Sequence, residues 1–203
     1  MNILFLAYTI VLITVGKNIQ DDKVLFDGVS LDNWQVIDFE GHGNISIVDS
    51  CIIIDKGELI SGIRWTKDFP KTNYEINLDA KRIDGSDFFC GMTFPVKEAF
   101  LTLVLGGWGG AMVGLSCIDG YDAANNMTGS LFRFASGWWY AIRLRVTDKN
   151  IEAWIEDEKI VDFTIENSKL SLRWEVESSV PFGITTYKTT GALRNIRLHL
   201  ING

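Results

Sequence analysis

Apolar side chains recur at every second position through one short segment after another, and a period of two excludes the helix as the main building element. Tyr74, Ile76, Leu78 and Ala80 alternate with Glu75, Asn77, Asp79 and Lys81. Tyr140, Ile142, Leu144 and Val146 alternate with Trp139, Ala141, Arg143 and Arg145 before Asp148-Lys149-Asn150 turns the chain. Ile151, Ala153 and Ile155 follow, Asp157-Glu158 turns the chain into Val161, Phe163 and Ile165, and Ile196, Leu198 and Leu200 form the last row. Further strands are predicted over 45–48, 51–54, 60–65, 88–94, 101–105, 112–116 and 182–187. About a dozen half-buried strands cannot lie in one flat sheet without exposing an apolar face, so they must pack as two stacked sheets or a closed barrel, of which the sandwich is favoured. The expected fold is all-β, a two-sheet antiparallel β-sandwich.

A chain of 203 residues, 47% hydrophobic, can bury a full core without disulfide or metal staples. No linker, repeat or composition break follows residue 20, which predicts a single domain over 17–203. The 26 acidic residues exceed the 19 basic ones and no Lys/Arg run occurs, which excludes a nucleic-acid partner. Residues 3–15 form an unbroken, nearly apolar run that is too short for a transmembrane helix. Its length, and the small residues Thr14 and Gly16, predict a signal peptide over 1–16. Export to the periplasm or the exterior follows, with no integral membrane span in the mature chain. Cys51, Cys90 and Cys117 lack any C-x-x-C spacing. Cys90 reads as a small core residue, and a Cys51–Cys117 bridge stays open.

Inventory narrows the chemistry. His42 and His199 are far apart in sequence, which leaves no His-based zinc site and no Ser-His-Asp triad. No metal or other cofactor is expected. The densest polar patch is Arg82-Ile83-Asp84-Gly85-Ser86-Asp87. Asp84-Gly85 reads as a hairpin turn. Asp87 instead begins a strand in which Phe88, Cys90, Met92 and Phe94 would share one buried face, and is a candidate base or hydroxyl acceptor. In Gly106-Gly107-Trp108-Gly109-Gly110 an indole rides on four glycines. It either stacks on a pyranose or tucks under the sandwich. Asp119 to Asn126 collects oxygens suited to Ca²⁺ but misses the EF-hand spacing, and reads as a solvated loop. Asn126-Met127-Thr128 and Asn44-Ile45-Ser46 match the N-glycosylation pattern.

Leu25-Phe26-Asp27-Gly28-Val29-Ser30-Leu31-Asp32-Asn33-Trp34 resembles the opening of the 3-keto-disaccharide hydrolase domains. Gly137-Trp138-Trp139-Tyr140, Ile151-Glu152-Ala153-Trp154-Ile155, Val161-Asp162, Gly183-Ile184 and Leu193-Arg194-Asn195-Ile196-Arg197 extend the resemblance over residues 24 to 200. It implies a jelly roll of the concanavalin A-like lectin and glucanase type, holding a saccharide on a concave sheet. It also implies cleavage of glycosides oxidised at C3, where the ketone acidifies the C2 hydrogen and an enolate expels the C1 substituent. Such a reaction needs a base and a donor at the enolate oxygen. Asp87 is the candidate base, Lys188 or Arg64 the enolate partner, and Trp108, Ser86 and Tyr187 the candidate substrate contacts. The stretches 85–91, 101–105 and 185–190 depart from the family's motifs, and the glutamate and glutamine of the middle one are absent. A noncatalytic glycan-binding or structural module therefore stays open as the alternative.

Overall fold

A computed structural model describes residues 22–201. The expected signal segment lies outside the described residues. Along the chain run β1 (Asp22–Val24), β2 (Trp34–Val36), β3 (Ile45–Val48), β4 (Cys51–Ile54), β5 (Ile60–Trp65), β6 (Tyr74–Gly85), β7 (Cys90–Val96) and β8 (Ala99–Gly107). They are followed by β9 (Met112–Ser116), β10 (Ser130–Leu131), β11 (Trp139–Val146), β12 (Asn150–Ile155) and β13 (Glu158–Thr164). A 3-10 helix (Trp174–Ser179), β14 (Gly183–Tyr187) and β15 (Thr189–Leu200) complete the chain. One sheet has the order β13-β12-β11-β6-β15-β4-β3, with β1 also pairing β15, and the other has the order β10-β9-β8-β7-β14-β5-β2. The strands pair antiparallel, and the two sheets form a β-sandwich, as the alternation required.

The inward faces supply one core. Tyr74, Ile76, Leu78 and Ala80 of β6 meet Cys90, Met92 and Phe94 of β7 and Leu101, Leu103 and Leu105 of β8 in a single apolar cluster. Burial pushes the Cys90 thiol up to about 12, which makes it an inert core group. Cys51 and Cys117 are also buried free thiols, so no bridge joins them.

The opening signature is structural. Asp27 Oδ1 accepts the amides of Val29 and Ser30 at 2.8 and 3.1 Å and Gly28 takes φ +86°, closing a tight turn. Those amides hold the Asp27 carboxyl below the usual carboxylate range. Beyond the turn, the Trp34 indole donates to the Leu25 carbonyl at 2.8 Å while its ring meets Trp65 edge-on, 5.4 Å between centroids.

Two expectations need correction. Asp84-Gly85 is not a hairpin: both residues belong to β6 and pair with Thr190 and Thr189 of β15. Strands β6 and β7 lie in different sheets, so Ser86 to Phe89 is a crossover. Phe88 consequently leaves the inner face that Cys90, Met92 and Phe94 share, and turns outward over Gly91, where a Cβ would lie 3.0 Å from its ring.

Candidate functional site

Thr102 and Val104 alternate with the inward leucines of β8 and so face outward, as Gly91 and Thr185 do on the neighbouring strands. Small residues here leave a depression, which the surrounding segments wall into a pocket of about 340 Å³. That is near the lower end of small-molecule sites, roughly 300–1,000 Å³. Asp87 and Phe88 from the crossover, Trp108 from the glycine loop, Tyr187 from the end of β14, Arg173 just before the 3-10 helix and Glu175 in its first turn all line it.

Asp87 is tied to its surroundings at three points. Its amide donates to Thr189 Oγ1 at 3.1 Å, Oδ1 accepts the Phe88 amide at 2.8 Å, and Oδ2 accepts the Gly109 amide at 3.3 Å. The last bond fastens the glycine loop to the crossover. From below, the Arg82 guanidinium donates Nη2 to the Gly110 carbonyl at 2.7 Å. The four glycines are thus not a source of freedom: Gly106, Gly109 and Gly110 take φ between +81° and +105°, and a Cβ at Gly110 would lie 3.0 Å from the Ser86 carbonyl. Trp108 is 47% exposed and lines the pocket, so it does not tuck under the sandwich. Phe88 and Tyr187 stack at 5.8 Å and 24° beside it.

Lys188 is not a lining residue. Its chain neighbours bracket the crossover: Tyr187 donates its amide to the Phe88 carbonyl at 3.0 Å, and Thr189 accepts the Asp87 amide. Its ammonium lies 5.4 Å from the Tyr187 ring centre. Ser86 is exposed and does not line the pocket. Nor does Arg64, whose Nε and Nη2 both donate to Gln35 Oε1 at 3.1 and 2.8 Å. The reason lies at Gly183, the residue opposite Arg64: its missing Cβ lets the Ser179 carbonyl approach, so the 3-10 helix crosses the sheet here. Arg64 stands on the same outward row but outside that wall. Asp84 is at the surface with Lys56 Nζ at 2.7 Å, and this hydrogen bond is the main cause of its lowered pKa.

The pattern of alternating residues gave no sign of Arg173 and Glu175. Arg173 Nη2 donates to Glu175 Oε1 at 2.6 Å and Nε to Oε2 at 3.2 Å, a two-pronged pair, while Nη1 lies 3.5 Å from Asp122 Oδ2. The pairing holds the Glu175 carboxyl below its ordinary value against the opposing effect of burial. The one legible signal was two opposite charges flanking a tryptophan in an aperiodic stretch.

The oxygen-rich loop is spent on protein donors. Asn126 Nδ2 donates to the carbonyls of Leu115, Tyr121 and Asp122 at 2.7, 3.1 and 2.9 Å, and its Oδ1 accepts from the amide and hydroxyl of Thr128. The amide that would carry a glycan in Asn126-Met127-Thr128 thus points inward. Asp122 Oδ1 takes Ala124 N and Asn125 Nδ2, and Asp119 Oδ1 takes Lys169 N.

On the other sheet's outward face, cations lie over two tryptophan rings. Trp154 is covered by Arg143 at 3.8 Å and Lys159 at 5.1 Å, and Trp139 by Arg194 at 4.2 Å and Lys81 at 4.5 Å. Among the described residues, no helix is long and apolar enough to cross a membrane.

No curated protein matches the chain in sequence. Among solved structures, a protein of Parabacteroides distasonis described as a glycosyl hydrolase superposes with a TM-score of 0.58 at 15% identity, covering 89% of this chain and 94% of that one. Domain 4 of the extracellular arabinanase AbnA from Geobacillus stearothermophilus, solved with arabinotriose, gives 0.53 at 14% identity, covering 82% of each chain. The carbohydrate-binding module CBM66 from Bacillus subtilis gives 0.50 at 10% identity, covering 82% and 95%. At these identities the likeness is one of fold. The sequence itself matches a family profile over residues 21–199, from the turn at Asp27 to the last strand, and the chain therefore belongs to the 3-keto-alpha-glucoside-1,2-lyase-like domain family.

Proposed function

We propose that the pocket binds a saccharide and cleaves glycosides whose sugar carries a C3 ketone. The observation that carries this reading is that Asp87 and Trp108 line one pocket together with Tyr187, whose ring centre lies 5.4 Å from the Lys188 ammonium. Asp87 accepts the proton from C2, and the electron pair of that bond forms the C2–C3 enolate, whose oxygen Lys188 holds. Collapse of the enolate breaks the C1–O bond, and the leaving oxygen takes back the proton from Asp87. Water added across the new C1–C2 double bond completes a net hydrolysis. Trp108 supplies the flat apolar face for the ring, and Tyr187 borders it. Arg64 has no role in this scheme. A second reading, saccharide binding without cleavage, draws on the fact that each Asp87 oxygen already accepts a backbone amide.

The test is product release from a p-nitrophenyl 3-keto-glucoside, with the unoxidised glucoside as control, alongside affinity by calorimetry. Release from the keto substrate alone is expected; affinity without release would favour the second reading, and neither would refute both. Trp108→Ala should weaken affinity by about 1 to 3 kcal/mol, on the scale of an interface hot spot, at a stability cost below about 1 kcal/mol. A stability loss of about 3 kcal/mol with unchanged affinity would make Trp108 a core residue instead. We also propose that the protein acts outside the cytoplasm, guided by residues 3–15. A reporter fused to residues 1–20 should be exported, and its retention inside the cell would overturn this.

A further inference from the structure

The interior side of β6 reads Leu78, Ala80 and then Arg82, a cation at a position that the alternation reserves for an apolar side chain. Only 6% of Arg82 is exposed. Taking a guanidinium out of water is costly, and a buried charge at a core position marks a local conflict that the fold keeps for a reason. Burial pulls this guanidinium below the ordinary arginine value, while the charge of Asp87 and the phenol of Tyr140 act in the opposite direction. Its partners show what it does. Nη2 donates to the carbonyls of Gly110 and Gly106 at 2.7 and 3.5 Å, and the guanidinium lies 5.2 and 5.9 Å from the ring centres of Phe89 and Phe134. A Cβ on Gly106 would run into Nη2 and one on Gly110 would lie 3.1 Å from Nη1, so the glycines of the loop are the counterpart of this side chain.

We propose that Arg82 is a positioning residue: a buried clamp that, together with the Asp87 bond to Gly109, holds the Trp108 loop and the Asp87 carboxylate in one fixed arrangement. The inference rests on the saccharide-site reading for its functional consequence but not for the clamp itself. Arg82 does not line the pocket and acts only through the loop and the crossover. The arrangement has two fasteners, one on each side of the loop. Loss of the inner one should leave the outward Gly109 bond too weak to keep the indole in place.

The test uses Arg82→Met, which keeps an apolar side chain against the Phe89 and Phe134 rings without a charge, and Arg82→Lys, which keeps the charge on a side chain about one bond shorter than the one whose Nη2 reaches Gly110. Amide exchange of residues 106–110 in the ligand-free protein reads the clamp directly. It should speed up at least tenfold in both variants while exchange in β6, β11 and β15 stays at the wild-type rate. With the 3-keto-glucoside, kcat/KM should fall at least 30-fold in both. In both variants the loss should appear in kcat as well as in KM, because the clamp holds the Asp87 carboxylate as well as the indole. An arginine that only supports the fold would lower Tm and leave kcat per folded molecule unchanged. If wild-type protein neither binds nor cleaves the sugar, the functional reading fails, yet the exchange result still decides the clamp. Unchanged exchange at 106–110 in a folded variant overturns the proposal. Should Arg82→Met not fold, the exchange and kinetics of Arg82→Lys decide the same question.

Discussion

Asp87→Asn is expected to lower kcat/KM for a 3-keto-glucoside by at least about 100-fold, the usual contribution of a positioned general base. An amide has no basic oxygen to accept the C2 proton, whereas its size and its carbonyl still suit the Phe88 amide, which Asp87 now accepts at 2.8 Å. The longer bond from Gly109, 3.3 Å, is the one at risk, since the Asn NH₂ would face an N–H donor. Ground-state affinity for the unoxidised sugar should therefore change by less than about tenfold, given the modest net worth of one such bond. Steady-state kinetics and calorimetry on the same preparation check both halves. Equal losses in kcat/KM and in affinity would mean that Asp87 holds the site together and does not take the proton.

The largest stability effect is expected at Asn126, a residue that the sequence shows as a glycosylation pattern and as the end of an oxygen-rich loop. Its side chain makes five hydrogen bonds, three donated to the carbonyls of Leu115, Tyr121 and Asp122 and two accepted from Thr128. Thr128 in turn accepts the Leu115 amide through Oγ1 at 2.9 Å, which sews the loop to β9. Individual bonds of this kind contribute about 1 kcal/mol each, less where water replaces the lost partner. Asn126→Ala should thus cost about 3 kcal/mol and lower Tm by about 6 to 12 °C in a chain of this size. Thermal denaturation measures it. Because Asp122 lies 3.5 Å from Arg173, the same variant should also loosen the pocket wall and weaken sugar affinity. A Tm within about 2 °C of wild type would show that Asn126 is dispensable and the loop is held by other contacts.

Strands were legible most plainly where one face is buried and the other wet, as in β6 and β11. The limits expected over 45–48, 51–54, 60–65 and 112–116 are those observed. Where both faces are covered the signal blurs. All of β7 is buried, so its start was placed at Phe88, two residues before Cys90. The short edge strands β1, β2 and β10 and the 3-10 helix carry too few residues to show a period. Asp84-Gly85 misled because Gly85 does take a positive φ of 100°, as a turn glycine would, but within a strand that continues against β15.

Residue order along the chain determined the architecture, because period two leaves each strand with one face to hide and only a second sheet can hide it. It also singled out Asp87 and Trp108, one a carboxylate heading an apolar strand, the other an indole set among glycines. Whether these two share a pocket was decided by the crossover of β6 into the second sheet and by the Gly109 bond, neither of which is a local property. The same holds for the wall. Arg64 and Arg173 look alike as isolated cations, and only the passage of the 3-10 helix over Gly183 puts one inside the pocket and leaves the other outside. Arg82 shows the difference in kind: the sequence shows it at the head of a polar patch, whereas its inward place in β6 and its partners, carbonyls 24 and 28 residues away, come from the packing of two sheets.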